Sequence, residues 1–130
     1  MSEDRPTVLV VDDEEDLRDI MRRMLGRRGF DTLVAGDSEQ AIEACRDHPD
    51  EIDVLVTDLG LPGASGGELS RAAIALRPQM GVVYISGLPK DIAVTKGLIS
   101  DDALLVKKPF TSDQLIEALR VVIARTAASQ

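Results

Sequence analysis

The sequence predicts an α/β fold: a doubly wound parallel sheet with helices packed on both faces. Three observations predict it. Short apolar runs alternate five times with stretches of helical period, the links between them are short, and the first and last two runs are almost unbroken aliphatic sequence. Unbroken runs mark strands covered on both faces. Parallel strands need a crossover, and right-handed crossovers wind to both sides of a sheet from its middle. The 130 residues suit a single domain, 1–130, with a radius of gyration of ~14 Å. Its core spans about residues 7–125, and residues 1–6 and about 127–130 read as frayed ends.

The elements follow in order. Residues 8–11, Val-Leu-Val-Val, form the first strand. Leu17, Ile20, Met21, Met24 and Leu25 then recur at helical spacing, with Gly26 and Gly29 as stop signals. Residues 32–35 give the second strand. Ser38, a good N-cap type, opens a helix whose short apolar stripe is Ala41, Ile42 and Cys45. Residues 52–57 are the third strand, and Leu69, Ala72, Ala73 and Leu76 mark a third helix closed by Pro78. Residues 82–85 are the fourth strand. The helix expected over 89–98 is the weakest, because Gly97 and β-branched residues lower its propensity. Residues 103–106 form the fifth strand, and Ser112 caps a last helix that turns Leu115, Leu119, Val122 and Ile123 inward.

Composition narrows the class. Fifteen Lys and Arg stand against 23 Asp and Glu, a formal net charge of −8. Residues 1–60 hold seventeen acids and seven bases, residues 61–130 six and eight. The acidity is therefore local, centred on the run Asp12-Asp13-Glu14-Glu15-Asp16, which taken alone reads as a solvated face. An acidic balance argues against a broad footprint on nucleic-acid phosphates, and no apolar run approaches the ~20 residues of a membrane span. The opening residues lack the apolar segment of a secretory signal, and one cysteine cannot close an internal disulfide, so a cytoplasmic location is expected. Cys45 reads as core and His48, before Pro49, as a helix-end residue.

In such a sheet the residues just past the strand C-termini gather at one edge. Asp12 and Asp13 follow the first strand, Asp58 the third, Ser86 the fourth, and Lys107 and Lys108 the fifth. Each has a local alternative: Asp12 or Asp13 as a helix cap, Asp58 as the opening of a turn with Gly60, Pro62 and Gly63, Ser86 as a turn residue, Lys108 as a surface cation. Jointly they form a pattern that local tasks do not explain. Three carboxylates about 5 Å apart repel by roughly 3 kcal/mol per pair at an effective dielectric of 20. A divalent cation relieves that repulsion, and an all-oxygen ligand set suits Mg²⁺ better than Zn²⁺. Mg²⁺ beside a carboxylate nucleophile, with a lysine and a hydroxyl opposite, suits a transferring phosphoryl group.

The strings Val-Leu-Val-Val-Asp12-Asp13-Glu14, Asp58-Leu-Gly-Leu-Pro62-Gly63 with Gly66 eight residues after the aspartate, Ile85-Ser86-Gly87 and Lys108-Pro109-Phe110 resemble the response-regulator receiver domain of two-component signalling. The likeness covers about residues 7–125. From Ser86 to Phe110 the chain also resembles receivers attached to hybrid histidine kinases. The resemblance implies a three-layer, flavodoxin-like (βα)5 fold with strand order 2-1-3-4-5. It implies that Asp58 is the phosphoacceptor, that Asp13, Asp58 and the backbone carbonyl of Gly60 hold Mg²⁺ directly with Asp12 acting partly through water, and that Lys108 pairs with Asp58 at rest and with a phosphoryl oxygen afterwards. Ser86 would donate its hydroxyl to a second phosphoryl oxygen, and the Lys108-Pro109 bond would be cis. The implied role is that of a signalling phosphoacceptor rather than an enzyme, charged by a histidine kinase, a histidine phosphotransfer protein or a small phosphodonor. A downstream protein target is expected, no direct DNA binding and no membrane insertion, with dimerisation on phosphorylation left open.

Three departures from the family pattern stand out. Leu105 occupies the place, three residues before the site lysine, where many receivers carry Phe or Tyr; Tyr84 lies elsewhere, on the fourth strand. Gly60 and Leu88, two residues past Asp58 and Ser86, lack side chains that orient a water. The interval from Asp58 to Ser86 is slightly short. The alternative is a degenerate receiver used as a phosphorylation-independent docking module. A phosphatase of related layout would alternate its acids, whereas Asp12 and Asp13 are adjacent, and a flavin carrier would not place an acidic loop against a phosphate.

Overall fold

The computed structural model describes residues 5–61 and 65–128. Five strands and five helices alternate: β1 (Thr7–Val11), α1 (Glu15–Arg27), β2 (Asp31–Ala35), α2 (Ser38–Asp47), β3 (Val54–Asp58), α3 (Gly66–Leu76), β4 (Gly81–Ser86), α4 (Lys90–Thr95), β5 (Leu104–Lys107) and α5 (Ser112–Ala128). The strands form one parallel sheet of order β2-β1-β3-β4-β5. The expected α/β class and strand order are therefore present.

Alternation along the strands divides the core. Val8, Val10, Val54, Val56, Val83 and Ile85 face Met21 and Leu25 of α1 and Leu115, Ile116 and Leu119 of α5. Leu9, Val11 and Leu55 face the other way, against Ala41 and Cys45 of α2 and Leu69 and Ala73 of α3. A third cluster, Leu59, Ala93 and Ile99 with Tyr84, Val94, Ala103 and Leu105 packed against it, lies under α4. Cys45 is buried, as expected, and His48 is the C-cap of α2.

The helix ends correct several expectations. Ser38 is the first residue of α2; the cap is Asp37, whose carboxylate accepts the Gln40 N–H at 2.8 Å. Ser112 likewise opens α5 from inside, while Thr111 and Gln114 exchange side-chain to backbone hydrogen bonds, Gln114 N–H to Thr111 Oγ1 and Thr111 N–H to Gln114 Oε1. Threonine and glutamine reach the two orphan amides that a lone serine leaves unpaired. Neither Asp12 nor Asp13 sits at the N-cap of α1; Glu14 does, with no side-chain bond. Gly26 lies within α1, and the left-handed turn falls at Gly29 (φ +93°). The helix over 89–98 shrinks to Lys90–Thr95 and is followed by Gly97 at φ +75°.

Some of the residues expected to fray are held in the fold. Arg5 donates to Asp31 Oδ1 at 3.0 Å and to the Phe30 carbonyl at 3.0 Å, and α5 continues through Ala128. Residues 1–4, 129 and 130, and the turn residues Pro62 and Gly63, lie outside the described residues.

Candidate functional site

The strand order creates the site. The chain leaves β1, pairs β2 on one side, then returns to lay β3 on the other. Val11 is in register with Thr57. The next residues of the two strands, Asp12 and Asp58, therefore emerge side by side at the point where the order reverses, the crevice where α/β sheets bind ligands. On the far side of β3, Asp58 is in register with Ile85, which brings Ser86 one residue beyond the carboxylate. Ser86 pairs with Lys107 on β5, and the Ser86 carbonyl accepts the Lys108 N–H at 2.8 Å. The Lys108-Pro109 peptide bond is cis.

Local hydrogen bonds fix each group. Asp12 Oδ1 accepts the Glu14 N–H at 2.9 Å, which folds the acidic run into the start of α1. Arg18 donates to the Asp12 carbonyl at 2.7 Å, a staple from the second turn of α1 that sequence reasoning missed. Asp58 Oδ1 accepts the Gly60 N–H at 2.7 Å, and its Oδ2 accepts from Lys108 Nζ at 2.6 Å. Lys108 Nζ also lies 3.5 Å from Asp12 Oδ2, within ion-pair range but without hydrogen-bond geometry. Ser86 Oγ is buried and accepts the Leu88 N–H at 3.0 Å, leaving its own proton to donate.

The charges are strained against one another. Asp12, Asp13 and Asp58 each offer a carboxylate oxygen within 4.8 Å of the others. One lysine ammonium offsets one of these three negative charges. Asp12 is almost completely buried, and that burial raises its carboxyl above the usual carboxylate range, with Asp58 and Asp13 adding to the effect against the Glu14 amide and Lys108. Burial pulls Lys108 down, but its hydrogen bond to Asp58 and the charges of Asp58, Asp12 and Glu14 outweigh it and hold the ammonium above its ordinary range. Asp12 Oδ2 is buried and has no hydrogen-bond partner among the described residues. Buried carboxylate oxygens without partners are rare. An acidic, all-oxygen cluster with one orphaned oxygen fits a hard divalent cation.

The sequence-predicted residues Asp12, Asp13, Asp58, Ser86 and Lys108 thus come to one edge, with Gly60 beside Asp58. Leu105 lies outside that edge, in register with Tyr84 on β4. The Tyr84 hydroxyl is 2.7 Å from Ser70 Oγ on α3, a pairing across 14 residues that no short-range pattern signals.

Comparison with known proteins places this architecture. Residues 8–120 match the sequence model of the family described as response regulator receiver domain. Transcriptional regulatory protein AruR of Pseudomonas aeruginosa is 31% identical over 128 residues, covering 96% of this chain and 52% of that protein. DNA-binding response regulator MtrA of Mycolicibacterium smegmatis is 36% identical over 124 residues, covering 93% of this chain and 52% of that protein. The chain spans about half the length of the curated relatives it matches. Among solved structures, a response regulator receiver domain protein from Clostridium thermocellum superposes with a TM-score of 0.83 at 26% identity, over 96% of this chain and 99% of that one. A response regulator receiver protein from Sinorhizobium medicae gives 0.82 at 30% identity, over 95% and 98%.

These relatives correct one expectation. Absence of direct DNA binding does not stand, because several of the matching regulators are named as DNA-binding. The physical reason is scope: an acidic balance describes the surface that carries it and says nothing of other parts of a regulator.

Proposed function

This chain belongs to the response regulator receiver domain family, and on that premise we propose that Asp58 accepts a phosphoryl group from the phosphohistidine of a histidine kinase or histidine phosphotransfer protein. The observation that carries the reading is the Lys108 Nζ to Asp58 Oδ2 contact at 2.6 Å beside the carboxylates of Asp12 and Asp13. An Asp58 carboxylate oxygen attacks phosphorus. The P–N bond breaks, its electron pair stays on the imidazole, which takes up a proton, and an acyl phosphate is left on Asp58.

Lys108 transfers its ammonium from the carboxylate to a phosphoryl oxygen, and the free proton of Ser86 reaches a second. Asp12, Asp13, Asp58 and the Gly60 carbonyl would hold Mg²⁺, which when bound would supply positive charge to offset that of a transferring phosphoryl group. Neither Gly60 nor Leu88 carries a side chain that orients a hydrolytic water, so reset of the acyl phosphate is left to bulk solvent. The reaction is the charging and slow decay of a signal rather than turnover of a substrate. Relatives named as transcriptional or DNA-binding regulators support an output in gene control, and charging by a histidine kinase fits a cytoplasmic location.

Intact-mass measurement with Mg²⁺ and acetyl phosphate tests the reading. The expected result is one phosphoryl adduct on wild type and none on Asp58→Asn; an adduct of equal yield on the variant contradicts it.

A further inference from the structure

We infer that Arg18 is a positioning residue of the acidic basin: its hydrogen bond fixes the peptide that joins Asp12 to Asp13 and so holds both carboxylates for a divalent cation. This rests on the metal reading above. Three contacts clamp Asp12. Its N–H donates to the Ala35 carbonyl at the end of β2 at 3.2 Å, its Oδ1 accepts the Glu14 N–H at 2.9 Å, and its carbonyl accepts Arg18 Nη1 at 2.7 Å. Only Oδ2, buried beside Asp13 and Asp58, is left without a hydrogen bond. The Asp12 carbonyl lies in the plane of the peptide whose nitrogen belongs to Asp13. A bond that stops this plane from turning therefore sets the departure of both side chains at once.

Arg18 is itself held from two sides. Its N–H donates to the Glu14 carbonyl at 3.0 Å, which roots it in the start of α1. Its guanidinium lies against Gly36, between β2 and α2, where a Cβ would stand 3.0 Å from Nη1 and 3.5 Å from Gln40 Oε1. That turn is pinned in its own right: the Gly36 N–H donates to Gln40 Oε1 at 2.8 Å and the Gln40 N–H to Asp37 Oδ1 at 2.8 Å. Glycine at position 36 thus leaves the room the guanidinium fills, with a fixed turn behind it. Arg18 is a cation and no ligand for another, so it acts through Asp12 and Asp13. Loss of an outer partner that orients metal ligands costs about 10–100-fold in metal affinity.

Charge and geometry predict opposite signs here. Removing a positive charge near a cation site strengthens Mg²⁺ binding by Coulomb's law alone, whereas loosening the ligands weakens it. Mg²⁺ is titrated into wild type, Arg18→Met and Arg18→Lys, with affinity read from the amide NMR shifts of Asp13 and Gly60, and the thermal midpoint of each is taken in chelator. Arg18→Met is expected to bind Mg²⁺ about tenfold more weakly than wild type, the low end for an outer partner. Arg18→Lys, which keeps a donor, is expected to recover most of the affinity. Tighter binding by Arg18→Met overturns the inference in favour of simple charge. A lower midpoint in chelator with unchanged Mg²⁺ affinity overturns it in favour of a purely structural role, and both results leave the metal reading in place. If Arg18→Met does not fold in chelator, Gly36→Ala carries the test, since its methyl group crowds the guanidinium off the Asp12 carbonyl: weaker Mg²⁺ binding supports the inference and wild-type affinity overturns it. Absence of any Mg²⁺-dependent shift in wild type removes the metal reading and the inference with it.

Discussion

Asp12 is a carboxylate held in a place that does not favour its charge. It is buried, one of its oxygens lacks a hydrogen-bond partner among the described residues, and its carboxyl is raised above the ordinary 3.8 chiefly by burial. A neutral isostere is therefore expected to stabilise the metal-free protein. Asp12→Asn should raise the thermal midpoint in chelator-treated buffer at neutral pH, each kcal/mol gained appearing as about 4 °C for a domain of this size. The folded carboxyl titrates above the unfolded one, so its protonated form favours the fold. The advantage of the variant is thus absent below the unfolded value, grows as pH rises towards the raised folded value and is complete above it. Thermal scans across that range check the sign; a variant less stable at neutral pH contradicts it.

Gly60 offers a second test at this scale. Asn at that position supplies an amide able to orient water, so Gly60→Asn is expected to shorten the life of the phosphorylated form, and a slower decay contradicts the account. Asp12, Asp13, Asp58, Ser86 and Lys108 were legible because each directly follows or ends an apolar run. Arg18 and Tyr84 were not, because their partners, the Asp12 carbonyl and Ser70, are reached only once helix and sheet are packed.

Among the elements, the end of α2 depends on a residue from the end of α3. Arg77 donates Nε to the Cys45 carbonyl at 2.7 Å, Nη1 to the Asp50 carbonyl at 2.8 Å and Nη2 to the His48 carbonyl. The last carbonyls of a helix have no intrahelical donors, and one guanidinium supplies them. Arg77→Ala is expected to cost about 2–3 kcal/mol, since two part-buried charged hydrogen bonds and one exposed one are lost together. Urea unfolding with an unchanged m-value measures it; a midpoint equal to wild type contradicts the role. The helix interiors were readable from their apolar period, whereas the caps fell one residue early at Asp37 and Thr111 because Ser38 and Ser112 are equally good cap types. The weakness of α4 was foreseen from its composition, since Gly97 and β-branched residues leave little to hold it, but its reduction to Lys90–Thr95 was not.

For the whole molecule, the sheet order matters more than any single helix, because it alone places β1 beside β3 and so Asp12 beside Asp58. Alternation of strand and helix signals the class, but strand order depends on which edges pair, which no local pattern encodes; it came from resemblance. A ligand that binds only the folded state stabilises it by mass action, about 2.7 kcal/mol at a hundredfold excess over its dissociation constant. Mg²⁺ is therefore expected to move the urea midpoint of wild type upward and that of Asp13→Asn much less, and equal shifts contradict an acidic metal centre.

The most direct measurement of the central claim is reductive trapping after phosphorylation. Borohydride converts an aspartyl phosphate to homoserine, and peptide mapping then locates it. The account predicts homoserine at position 58 and at no other aspartate; homoserine at position 12 or 13, or none in a sample whose mass shows the phosphoryl adduct, contradicts it.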